Sequence, residues 1–457
     1  MSALAARNVS IPKYPRDGAP GVVHLGLGAF HRAHQALVYD RLLRDGDGRW
    51  GVFGVAMRST AVVDALVPQD HLYTVQVASQ SGVFWQLGAA IWETSIAARE
   101  PQQVAAAIAA PSTRWLTLTV TEKGYTPELA ALVVQGLAAR RAAGLGGLTV
   151  ASCDNLSRNG RKLQALCEAA TPDASLVQWM REACTFPDSM VDRIVPAATP
   201  ATIAAAETAL GVGDASALAT EAFWEWVIEG RFVDPADGRL LAAAGVTVVD
   251  EVAPFEEAKL RMLNGSHTAM ACLGAVAGLP FISDCVGVPA IRAFVHGLMT
   301  HEVGPHVSRS DWPAYRDALL TRFANPQLKH SVHQIATDSS QKIPQRWPAS
   351  IEGGLRQGRM PERLAFAAAA WMRYLRGSDE KGQAYALNDP LASRLQELAR
   401  ATAGDAAATV RALGTLPEIW GATLPKETAW LARVQRRLER IDAIGLLPAL
   451  EEVEGTA

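Results

Sequence analysis

Cysteine is scarce: five in 457 residues (Cys153, Cys167, Cys184, Cys272, Cys285), an odd number, widely spaced, with no C-x-x-C pair and no flanking histidine cluster. That pattern excludes a disulfide framework and a thiolate metal site, and the five read as buried free thiols. Excess charge is missing too. Lys plus Arg total 43 against 46 Asp plus Glu, a formal net charge of −3, which offers no electrostatic footprint for nucleic acid. Short basic pairs such as Arg140-Arg141 and Arg436-Arg437 read as solvated helix faces. No apolar run of about eighteen residues goes uninterrupted, so no membrane-spanning helix is expected. Met1 to Asp17 carries charges and prolines where an export signal needs an apolar core, which makes the cytoplasm the expected location. Beyond alanine enrichment there is no low-complexity tract and no internal repeat.

What is present suits a compact protein with ample core. Apolar residues make up 49% and charged residues 19%, and the length suggests two domains or three. Up to about residue 250 the chain alternates strand and helix. Gly21 to Leu25, Trp50 to Ala56, Trp115 to Val120 and Leu148 to Ser152 are almost wholly apolar runs of the kind buried in parallel sheets. Alanine-rich helical segments, Pro101 to Ala110 and Leu129 to Ala143, lie between them. Trp224 to Glu229 and Val246 to Val249 read as further strands that extend the sheet. Beyond Pro254 the segments are helical: Phe255 to Gly278, Pro289 to His301, Trp312 to Phe323, Pro361 to Leu375, Pro390 to Ala401 and Glu427 to Ile441. The expectation is an α/β protein: a Rossmann-like, doubly wound sheet domain over residues 1–250, followed by a mainly α-helical domain over 251–457.

The first strand runs into Gly26-Leu27-Gly28-Ala29-Phe30-His31, with helical periodicity continuing to Leu43. In a strand–turn–helix of this kind Gly26 bends the chain and Gly28 lets a pyrophosphate approach the backbone. His31 stands where the third glycine of the usual dinucleotide fingerprint would be, and a bare G-x-G also fits an ordinary tight turn. The second strand ends in Met57-Arg58-Ser59, without the acid that usually binds the adenosine ribose of NAD. Arg58 either favours a 2′-phosphate or is a surface residue, so NAD is expected with NADP open. Polar residues follow two later strands, as Thr121-Glu122-Lys123-Gly124-Tyr125 and Cys153-Asp154-Asn155. Asn155 suits either an amide donor in a site or a cap for the next helix. Asp192 and Arg193, embedded among apolar residues, are either a structural ion pair or a site edge.

Glu256 to His267 holds an amine, an amide and an imidazole in one helical stretch. At ~100° per residue from Lys259, Glu256 falls near ~60°, His267 near ~80° and Asn264 near ~140°, one polar arc opposite Arg261, Met262 and Gly265. The plain alternative is a solvated helix face. Oxidising a secondary alcohol removes the hydroxyl proton as hydride leaves carbon, so a general base and fixed donors for the developing alkoxide are needed. Lys259 suits the base once its pKa falls below the unperturbed ~10.4. Asn155 and Asn264 suit the donors, His267 suits orienting a second hydroxyl, and Glu256 suits passing the proton to water. As a lone histidine, His267 also suits a hydrogen-bonded core position.

These stretches carry a resemblance. Gly26 to Gln35, Thr119 to Tyr125, Ser152 to Asn155, Phe186 to Pro196, the Lys-x4-Asn-x2-His of Lys259, Asn264 and His267, and Gln334 to Arg346 resemble the polyol-specific long-chain dehydrogenases, the mannitol dehydrogenase family, from about residue 20 to 380. The resemblance implies a metal-independent NAD(P) dehydrogenase that interconverts a linear polyol, or a sugar acid, with its ketose. In it Lys259 is the base, Asn155 and Asn264 form the oxyanion site, and His267 holds substrate. It further implies substrate contacts at Asp192, Lys342 and Arg346, cofactor contacts at Gly26 to His31 and Glu122, no metal site, no nucleic-acid or membrane partner, and a monomer or loose dimer. Mannitol to fructose is the first expectation within it and mannonate to fructuronate the alternative. Two departures stand out: the chain passes quickly from Tyr125 into the next helix, and Ser339 stands where glycine is expected. A dinucleotide-binding sensor would keep the glycine turn but has no need of Lys259 with two asparagines.

Overall fold

A computed structural model describes residues 9–79 and 82–455. Residues 1–8 of the N-terminal stretch read above lie outside them. The chain divides into two compact units, the first ending at Glu256 and the second beginning at Glu257.

The first unit is built on a five-stranded, all-parallel sheet. In space the order is Ile91–Ile96, Val52–Ala56, Val22–Leu25, Trp115–Leu118, Thr149–Ser152. Period-two alternation sorts the side chains to two faces. Val22, Val52, Trp115 and Ala151 enter one core with Leu37, Val38 and Leu42 of the Gln35–Arg44 helix, together with Trp226 and Leu241. Val23, Leu25, Phe53, Val55, Leu116, Leu118 and Val150 enter the other, covered by Val104 and Ile108 of the Pro101–Ile108 helix and Leu129, Val133 and Leu137 of Pro127–Ala142. Both faces are therefore apolar, which is why these strands read as unbroken hydrophobic runs.

Three features depart from the sequence expectation. Glu225–Glu229 and Thr247–Val249 do not extend the parallel sheet; they form a separate three-stranded sheet in which Glu225–Glu229 pairs antiparallel with Ser189–Asp192. Tyr73–Ser79 and Gly82–Gly88 pair antiparallel in a four-stranded sheet, and their mixed burial hid them from a search for apolar runs. The helix after the glycine turn is broken at His34 (φ −126, ψ −90) into Ala29–Ala33 and Gln35–Arg44.

The second unit is helical. Its centre is the Gly265–Ala277 helix, buried from Gly265 to Val276, packed on Glu362–Tyr374. A helix buried on every side is a core helix, and its small residues allow the close approach. The expected Phe255–Gly278 and Pro289–His301 helices are each interrupted by a π-helical turn, at Lys259–Asn264 and Leu298–Val303. Shorter helices that the sequence reading passed over include Ile282–Gly287, Val332–Ala336, Ser339–Arg346, Pro348–Arg356, Ala406–Leu413 and Leu446–Gly455. No helix among the described residues is long and apolar enough to cross a membrane.

One polar group inside the first unit makes stability depend on pH. His24, on the central strand, is fully buried, with Nδ1 2.8 Å from Thr117 Oγ1 and Nε2 2.8 Å from Thr119 Oγ1. Burial pushes its pKa down to about 3. The folded ring stays neutral where the unfolded one takes a proton, so its contribution is complete above pH ~6.5 and falls as the pH drops below it. Between pH 7 and 5 the wild type is expected to lose about 2 kcal/mol more than a His24→Gln variant that cannot titrate. Denaturant titrations of both proteins at the two pH values check this, and parallel pH dependences would contradict it.

Candidate active site

In the first unit the central strand ends at Gly26, where φ is +96 and a Cβ would lie 2.2 Å from the Thr119 carbonyl oxygen. Only glycine fits this approach of two neighbouring strand ends. The Gly26 and Leu27 N–H groups donate to Val55 O at 2.9 and 3.0 Å, and Leu27 packs inward against Gly54. Gly28 is the N-cap of the Ala29–Ala33 helix, and a Cβ there would meet nothing closer than Gly26 O at 3.7 Å. The backbone is thus bare at the turn, as a pyrophosphate requires. Ala29 and Phe30 are half-buried, and Phe30 stacks on His34 at 5.0 Å. His31 faces inward. It is fully buried and stacks flat on His24 with ring centroids 3.4 Å apart, its pKa held well below the ordinary value by burial and then by His24. The third glycine of the fingerprint normally permits close helix–strand packing; here a flat ring-on-ring contact replaces it, and the buried His31 ring is turned into the core.

Asp154, which the sequence reading did not single out, organises the next part. It is buried at the end of the Thr149–Ser152 strand and accepts the N–H groups of Val120 at 3.1 Å and Thr121 at 2.7 Å, and the Tyr125 hydroxyl at 3.2 Å. Those bonds hold Thr121 at φ +65 ahead of the Glu122–Gly124 turn, where Glu122 is exposed. Burial pushes the Asp154 pKa up to about 6 although both backbone donors oppose it. A carboxylate directly after an apolar strand was the available signal. Asn155 follows, exposed. The helix beyond it begins at Asn159 with Arg158 as N-cap, so Asn155 is not the cap. Glu256 Oε2 accepts Arg158 N–H at 3.2 Å, tying Glu256 to the Asn155 loop. Asp192 is buried at the end of its strand, opposite Glu225. Arg193 is a cross-link: it donates to Glu221 O at 3.1 and 2.8 Å and to Ala33 O, and burial lowers its pKa to about 10.

The second unit brings Lys259, Asn264 and His267 together on one buried stretch, 8%, 8% and 6% exposed. The π-helical turn changes their phase. A π turn closes by i→i+5 bonds, as Gly265 N–H to Leu260 O shows, so residues five apart come round to nearly the same side and Lys259 and Asn264 are closer in phase than regular helical spacing allows. Asn264 Nδ2 is buried and has no hydrogen-bond partner among the described residues. Its backbone is firmly held: Asn264 O accepts Arg346 Nη1 at 3.0 Å and Thr268 Oγ1 at 3.0 Å, Arg346 Nη1 also reaches Thr268 Oγ1 at 2.6 Å, and Trp347 Nε1 donates to Gly265 O at 3.1 Å. Arg346 therefore supports the turn, a role its sequence position did not suggest. Lys342, half-buried, donates to Ile335 O at 3.0 Å. Both come from the Ser339–Arg346 helix, whose entry uses Asp338 at φ +55. Ser339, in the place expected for glycine, accepts from Trp371 Nε1 at 3.1 Å and donates to Asp389 at 3.2 Å, so the turn closes with serine.

His330 joins this group without a motif to announce it. Its ring stands edge-on to His267, centroids 5.3 Å apart, while Phe323 lies 4.6 Å from His267. Burial, with the nearby Lys342 charge second, pushes the His330 pKa down to about 4. Among the described residues no group of three or more His, Cys, Asp or Glu side chains is placed to hold a metal ion.

A parallel-sheet unit with a bare glycine turn, joined in sequence to a helical unit carrying a buried lysine and asparagine, defines a two-domain oxidoreductase of the Rossmann type. The chain belongs to the mannitol dehydrogenase family: residues 20–237 match the model of the mannitol dehydrogenase Rossmann domain and residues 251–442 that of the mannitol dehydrogenase C-terminal domain. It is 37% identical to D-mannonate oxidoreductase of Escherichia coli over 92% of this chain and 93% of that one. It is also 37% identical to mannitol 2-dehydrogenase of Phaeosphaeria nodorum, over 85% of this chain and 75% of the relative. The structure resembles the Pseudomonas fluorescens mannitol 2-dehydrogenase ternary complex with NAD and D-mannitol at a TM-score of 0.87, with 30% identity and 98% and 97% of the two chains covered.

Proposed function

We propose that the protein is an NAD(P)-dependent, metal-independent dehydrogenase of secondary alcohols that interconverts a linear polyol and its ketose, of the D-mannitol and D-fructose type. The observation that carries this reading is the buried, unpartnered Asn264 amide one π turn from the buried Lys259 amine. An unsatisfied buried donor costs about 1–3 kcal/mol unless something accepts from it, and a substrate oxygen gaining negative charge is such an acceptor. The bare backbone at Gly26 and Gly28 fits a dinucleotide, and bound NAD supplies the hydride acceptor. The chain's own residues deal with the proton and the charge. Lys259 takes the proton from the alcohol oxygen, and Glu256 passes it on towards water. Asn155 and Asn264 donate to that oxygen as it becomes alkoxide-like, then carbonyl. His267, Asp192 and Lys342 orient the remaining hydroxyls, and Arg346 contributes by holding the Asn264 turn.

Equal identity to a D-mannonate oxidoreductase favours a second reading of the same chemistry, D-mannonate with D-fructuronate. NADH and NADPH consumption with D-fructose, D-xylulose, D-fructuronate and D-tagaturonate tests both. Turnover of fructose supports the first reading and turnover of fructuronate alone the second. Binding of the dinucleotide without consumption in any assay would contradict the enzyme reading and favour a sensor.

A further inference from the structure

Beside the glycine turn, the first unit holds a cavity of 530 Å³ lined by residues from beyond the ends of three parallel strands: Met57 and Arg58 after Val52–Ala56, Ala97 after Ile91–Ile96, and Val120 and Thr121 after Trp115–Leu118. In a doubly wound sheet the pyrophosphate lies at the turn after the first strand and the adenosine ribose beyond the end of the second. This cavity is therefore the adenosine end of the dinucleotide site, an assignment that rests on the dinucleotide reading above.

Its charge is the informative feature. Proteins that select NAD place a carboxylate at the end of the second strand to accept the ribose 2′-hydroxyl, and those that select NADP place an arginine nearby. Here that strand ends in Met57-Arg58-Ser59. Arg58 is exposed and lines the cavity, where no side-chain hydrogen bond among the described residues holds it and its charge is near enough to Glu128 to help keep that carboxyl below its ordinary pKa. Lys123 lines the cavity as well. The one carboxylate on the lining, Glu128, comes from the helix after the fourth strand of the sheet and is exposed, so two cations face one anion. Ser59 is no substitute for the missing acid, since its hydroxyl accepts Ala61 N–H at 3.3 Å.

We infer that this cavity takes a 2′-phosphate on the adenosine ribose, with Arg58 as its principal ligand, and that the protein accepts NADP(H) at least as well as NAD(H). A guanidinium meets a phosphate with two parallel charge-assisted bonds and the 2′-hydroxyl with one weaker bond, so the preference is carried largely by one side chain.

Calorimetric titration of the full chain with NADPH, NADH, 2′,5′-ADP and 5′-AMP tests this without turnover. NADPH is expected to bind at least as tightly as NADH, and 2′,5′-ADP more tightly than 5′-AMP. In Arg58→Ala, whose side chain is exposed and supports no packing, NADPH and 2′,5′-ADP are expected to weaken by about tenfold or more while NADH changes by less than about twofold. NADPH binding weaker than NADH in the wild type, or equal weakening of both in the variant, would overturn the inference. No binding of either dinucleotide would overturn the dinucleotide reading itself, and this one with it.

Discussion

Replacing Lys259 by alanine is expected to lower kcat by about three powers of ten while NADH affinity stays within about twofold. General acid–base catalysis by one positioned side chain contributes about 10²–10⁴-fold, and the proposed proton transfer has a single acceptor at the reacting oxygen. Lys259 lies in the helical unit, whereas the glycine turn belongs to the parallel-sheet unit, so loss of the amine leaves the dinucleotide-binding backbone intact. Steady-state kinetics with the active ketose, together with NADH titration, separate the two quantities. A fall in kcat below about tenfold would remove Lys259 from the base role, and parallel loss of NADH binding would show a collapsed fold instead.

Asn264→Ala is expected to cost about 10²–10³-fold in kcat, the usual effect of removing one oxyanion donor, with a melting temperature within a few degrees of the wild type. The combination is diagnostic. Asn264 Nδ2 makes no hydrogen bond within the described protein, so truncation removes nothing that stabilises the folded state beyond packing. If Nδ2 is reserved for the substrate oxygen, activity falls and stability does not. An unchanged rate, or a large loss of stability with a proportionate loss of activity, would show that the amide serves the fold.

Several elements were legible in the sequence for identifiable reasons. The four apolar runs became parallel strands because both faces of that sheet are covered, so no polar alternation dilutes the signal. The Ile91–Ile96 strand escaped notice because Glu93, Thr94 and Ser95 interrupt its hydrophobicity and its place at the sheet edge tolerates them. The late strands were legible as strands but not by partner: Glu225–Glu229 pairs with Ser189–Asp192, about thirty residues away, and such a pairing is chosen by long-range packing and not by local pattern. At the site, the types and spacing of Lys259, Asn264 and His267 were visible. His330 was not, since its nearness to His267 arises from a separate loop.

The sequence by itself determined the residue chemistry, the class of each long element and the change from alternating strands to helices, because these follow from side-chain type and short-range periodicity. Tertiary structure alone decided the phase of the stretch that carries Lys259 and Asn264. Regular helical spacing sets Lys259 and Asn264 ~140° apart, and the π turn brings them closer in phase where Arg346 and Trp347, some eighty residues on, hold the carbonyls of Asn264 and Gly265. Local propensity does not favour a π turn; packing supplied by a distant helix does.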